Sequence, residues 1–210
     1  MFRWGRVSVA YAAVAALALL IGHSVGRDSL FAYPGPWLAL SGLEAHAFSI
    51  ALGLCFAGLV VVGTRISVAH AAWAKNLHRD LRPIAYKLDA TGVLVIAGFS
   101  AVAEELVFRG VLTPWIGLFP QAILFGFVHA QLSGPSRWVW VAWATLVGLA
   151  LGAMFELTGS LVGPILSHAA INALNLIFLR SHDPEPNRKG LGGLLAQRDS
   201  PVPVGTGRRA

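Results

Sequence analysis

Charge is scarce in this chain. Of its 210 residues only 12% are Asp, Glu, Lys or Arg, while 56% are hydrophobic. Soluble domains are about one quarter charged and about 45–50% apolar. The composition therefore excludes an ordinary soluble protein and points to an integral membrane protein. Cysteine is nearly absent as well: the single Cys55 excludes an intramolecular disulfide and any all-cysteine metal site. Lying in an apolar run, Cys55 is expected to be a buried structural thiol. Acidic residues number 10 against 16 Lys plus Arg, a net charge of +6. The excess falls between apolar runs, the pattern of membrane topology signals and not of a nucleic-acid-binding face. The lipid bilayer is thus an expected partner, and nucleic acid is not. Two catalytic signatures are also missing. There is no G-x-S-G, since Leu132-Ser133-Gly134-Pro135 reads as a turn, and the zinc signature H-E-x-x-H does not occur.

What the chain does have is apolar runs of spanning length. The first, residues 7–25, follows Arg3 and Arg6. It reads as an uncleaved first span and not a signal peptide, for want of a clear A-x-A site. Residues 27–44 form a loop whose Tyr33-Pro34-Gly35-Pro36-Trp37 combines turn residues with interfacial aromatics. Residues 45–64 form the second run. The basic stretch 65–89 follows, with Ile66, Ala69, Trp73 and Leu77 at helical spacing. It reads either as an amphipathic surface helix or as a solvated loop. Further runs occupy residues 91–112, 115–132, 138–157 and 161–179. The fold class expected is all-α: a polytopic bundle of about six segments.

Six segments put 14 of the 16 Lys and Arg residues on one side, and the positive-inside rule then places both termini in the cytoplasm. The fourth segment is interrupted by Pro120. A helix beginning there would have only about 12 residues, roughly 18 Å at 1.5 Å per residue, so it is expected to be partial. From Arg180 the composition turns to Pro, Gly and Arg, and disorder is expected. The chain thus divides into N-terminal segments with a basic loop (1–90), a core (91–180) and a cytoplasmic tail (181–210).

Inside the third run stand Glu104, Glu105 and Arg109. Each near-central charge costs roughly 2.5–3.5 kcal/mol to insert, so packing alone does not account for three. Glu105 and Arg109 are four apart and favour an ion pair on one face. Glu104 points about 100° away, toward a different neighbour. Two further polar elements follow: His129 after Phe125, and His168 with Asn172 four residues later on the same helix face. Asn175, one turn on, either joins them or bonds a neighbouring helix. Glu156 reads as an interfacial carboxylate. Polar groups in lipid converge on one another or on water, and the depths of Glu104, His129 and His168 agree if the fourth helix starts near Pro120. Two His and a Glu could ligate zinc. They could equally serve metal-free amide hydrolysis, with Glu104 deprotonating a water and the His and Asn side chains donating to an oxyanion.

E-E-x-x-x-R (Glu104 to Arg109), F-x-x-x-H (Phe125 to His129) and H-x-x-x-N (His168 to Asn172), in this order on membrane helices, resemble the CPBP family of CAAX proteases and bacteriocin-processing proteins. The resemblance implies a glutamic-type intramembrane endopeptidase without a metal cofactor. Glu104 would be the water-activating base, His129 its assistant, and His168 and Asn172 the oxyanion donors. Glu105, Arg109 and Phe125 would shape the site. Zinc at Glu104, His129 and His168 is the alternative cofactor reading. Substrates would be membrane proteins or lipidated peptides. The chain is shorter than eukaryotic members and matches in size the short, myxosortase-like bacterial ones, which implies a bacterial cytoplasmic membrane and C-terminal sorting signals as substrates. Two competing readings are a non-catalytic scaffold or bacteriocin-immunity protein on the same fold, and a proton-coupled carrier.

Overall fold

A bilayer offers no partner to an unpaired N–H or C=O, so a chain this apolar must satisfy its backbone within helices. The computed structural model describes residues 4–27 and 29–184. In them the protein is an all-α polytopic bundle: α1 (Trp4–Ser24), α2 (Gly42–His70), α3 (Ala72–Tyr86), α4 (Ala90–Glu105), a π-helical segment (Leu106–Leu112), α5 (Thr113–Ile116), α6 (Leu118–Val128), α7 (Ser136–Thr158) and α8 (Val162–Ser181). Five rods are long and apolar enough to cross a membrane: α1, α2, the continuous run Ala90–Ile116, α7 and α8. Large apolar side chains such as Leu59, Leu94 and Leu146 point outward, while Glu105, Arg109, Gln121 and Ser167 are wholly buried. That inversion is what a lipid solvent selects, and the chain is an integral membrane protein.

Contacts between the ends fix the alternation of the rods. At one end the Trp4 ring lies against Gly92 at the start of α4. At the same end Ser136, opening α7, donates to Asp80 of α3 (2.6 Å), and Arg82 of α3 pairs with Asp183 just past α8 (2.6 Å). At the opposite end the loop after α1 makes an isolated bridge, Ala32 to Ser160, between α7 and α8. His46 and Ser49 of α2 also bond Ser160 there. The basic stretch 65–89 lies at the first end, with the start of α1 and the end of α8.

The basic stretch is helical, but not as one stripe. Ile66 and Ala69 belong to α2, which runs on to His70, and the chain breaks at Ala71 before α3. The buried face of α3 is Ala74, Leu77, His78 and Ala85, while Trp73 is exposed. Cys55 is a correction: it is exposed on the outside of α2. An apolar run in a membrane protein has a lipid-facing side, so hydrophobic surroundings in sequence do not imply protein burial. The fourth segment is partial, as expected, but its helix begins at Leu118, after Gly117 turns the chain with φ +86°. Only glycine adopts that value without strain. With 11 residues, α6 reaches roughly 16 Å at 1.5 Å per residue. The expected tail begins at the end of α8, and its residues 185–210 lie outside the described part of the chain.

α2 and α8 cross through glycine. The space where a Gly163 side chain would stand is occupied by the Ser49 backbone, and Gly53 faces the Gly163 carbonyl. Backbone cannot swing aside as a side chain can. Gly163→Ala is therefore expected to force the two helices apart at a cost of about 1–3 kcal/mol, read as a lower melting temperature in detergent micelles. An unchanged melting temperature would mean that the crossing is looser than drawn.

Candidate active site

Three helices supply the site. α4 begins under Asp89, whose Oδ1 accepts from the Gly92 N–H (2.6 Å), and ends at Glu104 and Glu105. There the pitch widens. In the π segment the Thr113 N–H reaches back five residues to the Phe108 carbonyl, which also takes the Thr113 hydroxyl (2.9 Å). Such widened turns leave carbonyls in need of other partners and recur at functional sites. Here Arg27, from the loop after α1, donates to the Gly110 carbonyl.

Glu105 and Arg109 form the expected ion pair, Nη1 to Oε1 at 2.7 Å, with neither side chain exposed. Arg109 Nη2 donates to the Gly148 carbonyl of α7 (3.0 Å), and its guanidinium stacks 4.4 Å from the Phe125 ring centroid. Phe125 is the hub of the site. Its ring also meets those of His129 (4.6 Å), His168 (5.8 Å) and Phe108 (5.0 Å).

Hydrogen bonds fix which ring nitrogen of each histidine must carry a proton. His129 Nδ1 lies 2.7 Å from the Phe125 carbonyl. A carbonyl only accepts, so Nδ1 carries a proton and Nε2 is the nitrogen turned toward Glu104. His168 Nδ1 lies 2.7 Å from Glu105 Oε1, the same oxygen that takes Arg109. It too is the donor, and its Nε2 is the free nitrogen. Both Nε2 atoms stand 3.8 Å from Glu104 Oε2, too far for a direct hydrogen bond. Oε2 is buried and has no hydrogen-bond partner among the described residues. The carboxylate oxygen and the two ring nitrogens thus face one another across a small polar gap.

Asn172 sits one turn below His168 on α8 and donates to Ser100 Oγ on α4 (3.2 Å). Ser100 and Glu104 share one face of α4, as His168 and Asn172 share one face of α8, so the antiparallel helices meet in two polar rungs. The sequence-predicted residues Glu104, Glu105, Arg109, Phe125, His129 and His168 converge, with Asn172 on the adjoining rung. Asn175 is not part of the cluster: its Oδ1 accepts from Arg65 of α2 (2.8 Å). Glu156 lies at the far end of α7, takes the Tyr33 hydroxyl (3.4 Å) and is buried more deeply than an interfacial carboxylate would be.

Three further residues belong here. Ser100 was visible as the residue one turn before Glu104. Gln121 of α6 is fully buried and shares the Gly148 carbonyl with Arg109 (3.4 Å); a buried amide in a short apolar helix was the available signal. Tyr11 of α1, half-buried on the side of that helix that faces α4, carries no signal in its local sequence. Among the described residues no three His, Cys, Asp or Glu side chains are grouped as a metal site.

Residues 87–174 match the family model described as Type II CAAX prenyl endopeptidase Rce1-like. The chain is 38% identical over 74 residues to "Uncharacterized protein YpbD" of Bacillus subtilis (strain 168). That match covers 35% of this chain and only 38% of the relative's length. No solved structure matches the chain.

Proposed function

We propose, from the premise that residues 87–174 belong to the Rce1-like CAAX endopeptidase family, that this protein is an intramembrane endopeptidase in which Glu104 activates water to hydrolyse a peptide bond of a membrane-associated protein. The observation that carries the reading is the triangle of Glu104 Oε2 and the Nε2 atoms of His129 and His168, with both nitrogens 3.8 Å from the oxygen. At 3.8 Å the oxygen bonds neither nitrogen directly. A water between them can donate to Glu104 Oε2 and to the Nε2 of a neutral His129, and turn a lone pair toward an incoming carbonyl. As the water oxygen bonds to the carbonyl carbon, Glu104 takes its proton. The C–N bond then breaks, and Glu104 returns the proton to the leaving amine. His129 steadies the water through Nε2. His168, backed by the Glu105 carboxylate, donates from Nε2 to the oxyanion when it holds a proton on both nitrogens. Asn172 is the second donor.

The catalytic core proposed is residues 91–180, set in a bacterial cytoplasmic membrane with the basic end inside. The substrate class is a CAAX-like or C-terminal sorting-signal protein, whose hydrophobic segment would enter from the bilayer. Comparing protein termini in membranes of cells with and without the chain tests the function. At least one membrane protein should change from a truncated to a full-length form when the chain is absent, and identical termini would overturn the reading. The proposed reaction uses no metal. Purified enzyme is thus expected to keep its activity in a strong chelator, and a loss restored by added zinc would move Glu104, His129 and His168 into a metal-ligand role.

A further inference from the structure

An asparagine amide has two ends of opposite character: Nδ2 donates and Oδ1 accepts. The torsion that exchanges them is broad and two-fold, so side-chain shape alone does not choose between the two orientations. The choice matters at Asn172. A donor stabilises an oxyanion, whereas an amide turned over would set Oδ1 against the developing negative charge. Some neighbour must fix the orientation. Asn172 is partly buried on α8, which packs along α4, and its Nδ2 lies 3.2 Å from Ser100 Oγ of that helix.

A serine hydroxyl can meet an amide either way, by donating to Oδ1 or by accepting from Nδ2. Ser100 is 4% exposed, so bulk water does not decide between them. Its own helix does. Ser100 Oγ also lies 3.4 Å from the Ala97 carbonyl, three residues back. A carbonyl only accepts, so the hydroxyl proton is directed there, in the local back-bond that serine makes within helices. The lone pairs of the oxygen are then left for Asn172. One N–H of the amide is held by Ser100, the amide plane is fixed, and the second N–H remains for another acceptor. Ser100 stands one turn before Glu104 on α4, as Asn172 stands one turn after His168 on α8. The helix that carries the base thus also orients the donor.

We propose that Ser100 is a positioning residue of this site, its hydroxyl oxygen accepting from Asn172 Nδ2 and so fixing the amide with its second N–H offered to the oxyanion. The inference rests on the reading of Asn172 as an oxyanion donor. Its first test needs no substrate. The full chain in detergent micelles is labelled with nitrogen-15 at its four asparagines, and the side-chain signals of Asn172 are identified by their loss in Asn172→Ala. In wild type one of the two Nδ2 protons is expected to exchange slowly with solvent. In Ser100→Ala that protection should disappear and the signal should move. Identical Asn172 signals in the two proteins overturn the proposal. A failure of the protease reading would show itself separately, as unaltered protein termini. On a membrane protein identified by the terminal comparison, Ser100→Ala is expected to lower kcat roughly fivefold, the scale of one hydrogen bond, with KM unchanged. A change in KM alone overturns the positioning role. A residue that acts only through Asn172 has nothing left to act on once the amide is gone, so Ser100→Ala should lower kcat no further in the Asn172→Ala background. A second fall of the same size there overturns the role as well. Should Ser100→Ala not fold, Ser100→Cys, of similar shape and a weaker acceptor, takes its place in each measurement with the same outcomes.

Discussion

Glu104→Gln is expected to reduce peptide cleavage by roughly 10²–10⁴-fold, the range for loss of a general base, while the protein stays folded. The substitution changes one atom and keeps the side-chain shape. It removes the ability to accept a proton from water, and it replaces one acceptor by a donor. In the wild type, Oε2 faces two histidine Nε2 atoms at 3.8 Å without a hydrogen-bond partner. An amide N–H in its place can donate to the Nε2 of a neutral ring. The variant should therefore melt at the same temperature as wild type or higher, an instance of a site arranged for activity at the expense of stability. Both readouts matter: the rate of cleavage of an identified membrane substrate, and the melting temperature of the purified variant. Cleavage within a factor of a few of wild type would remove Glu104 from the role of base. A collapse of the fold would show instead that its charge is structural.

The division of labour between Glu104 and Glu105 was legible in the sequence because it is local. Four residues on one helix bring Glu105 to Arg109, and 100° of rotation sends Glu104 elsewhere. The partial fourth helix was legible for a similar reason, since Pro120 marks the first turn of a helix. Its true start is set by the backbone angle at Gly117, one of many glycines in the chain, and nothing local distinguishes that one. What the sequence could not carry was tertiary register. Glu105 was expected as the partner of Arg109 alone, yet the same oxygen also holds His168 Nδ1 from a helix 63 residues away. That bond decides which nitrogen of His168 faces Glu104. The π segment was hidden as well, because Leu106–Leu112 has the composition of an ordinary apolar helix. Its wider turn makes sense only beside Arg27, which supplies the Gly110 carbonyl with a donor. Tyr11 was hidden because the pairing of α1 with α4 depends on anchors at Trp4 and Leu30 that no motif encodes.

The same network gives the largest stability effect. Arg109→Ala is expected to destabilise the protein by about 3–5 kcal/mol, the cost of leaving the other half of a buried ion pair unmatched. Arg109 is fully buried and holds three things at once: Glu105 Oε1 at 2.7 Å, the Gly148 carbonyl at 3.0 Å and the Phe125 ring at 4.4 Å. Without it the Glu105 carboxylate keeps only His168 Nδ1–H as a partner, and Phe125 loses the surface that steadies it between the two histidines. Activity should fall too, through His168 and not through direct contact with substrate. Arg109→Lys should rescue little, because one ammonium cannot reproduce a planar fork that reaches a carboxylate and a carbonyl on different helices. The decisive comparison is the double variant Glu105→Gln/Arg109→Ala. Removing both charges removes the unmatched one, so the pair should unfold at a higher temperature than Arg109→Ala alone. If Arg109→Ala melts within about 1 kcal/mol of wild type, the pair behaves as an exposed one, and Glu105 cannot be the buried anion that fixes the proton on His168.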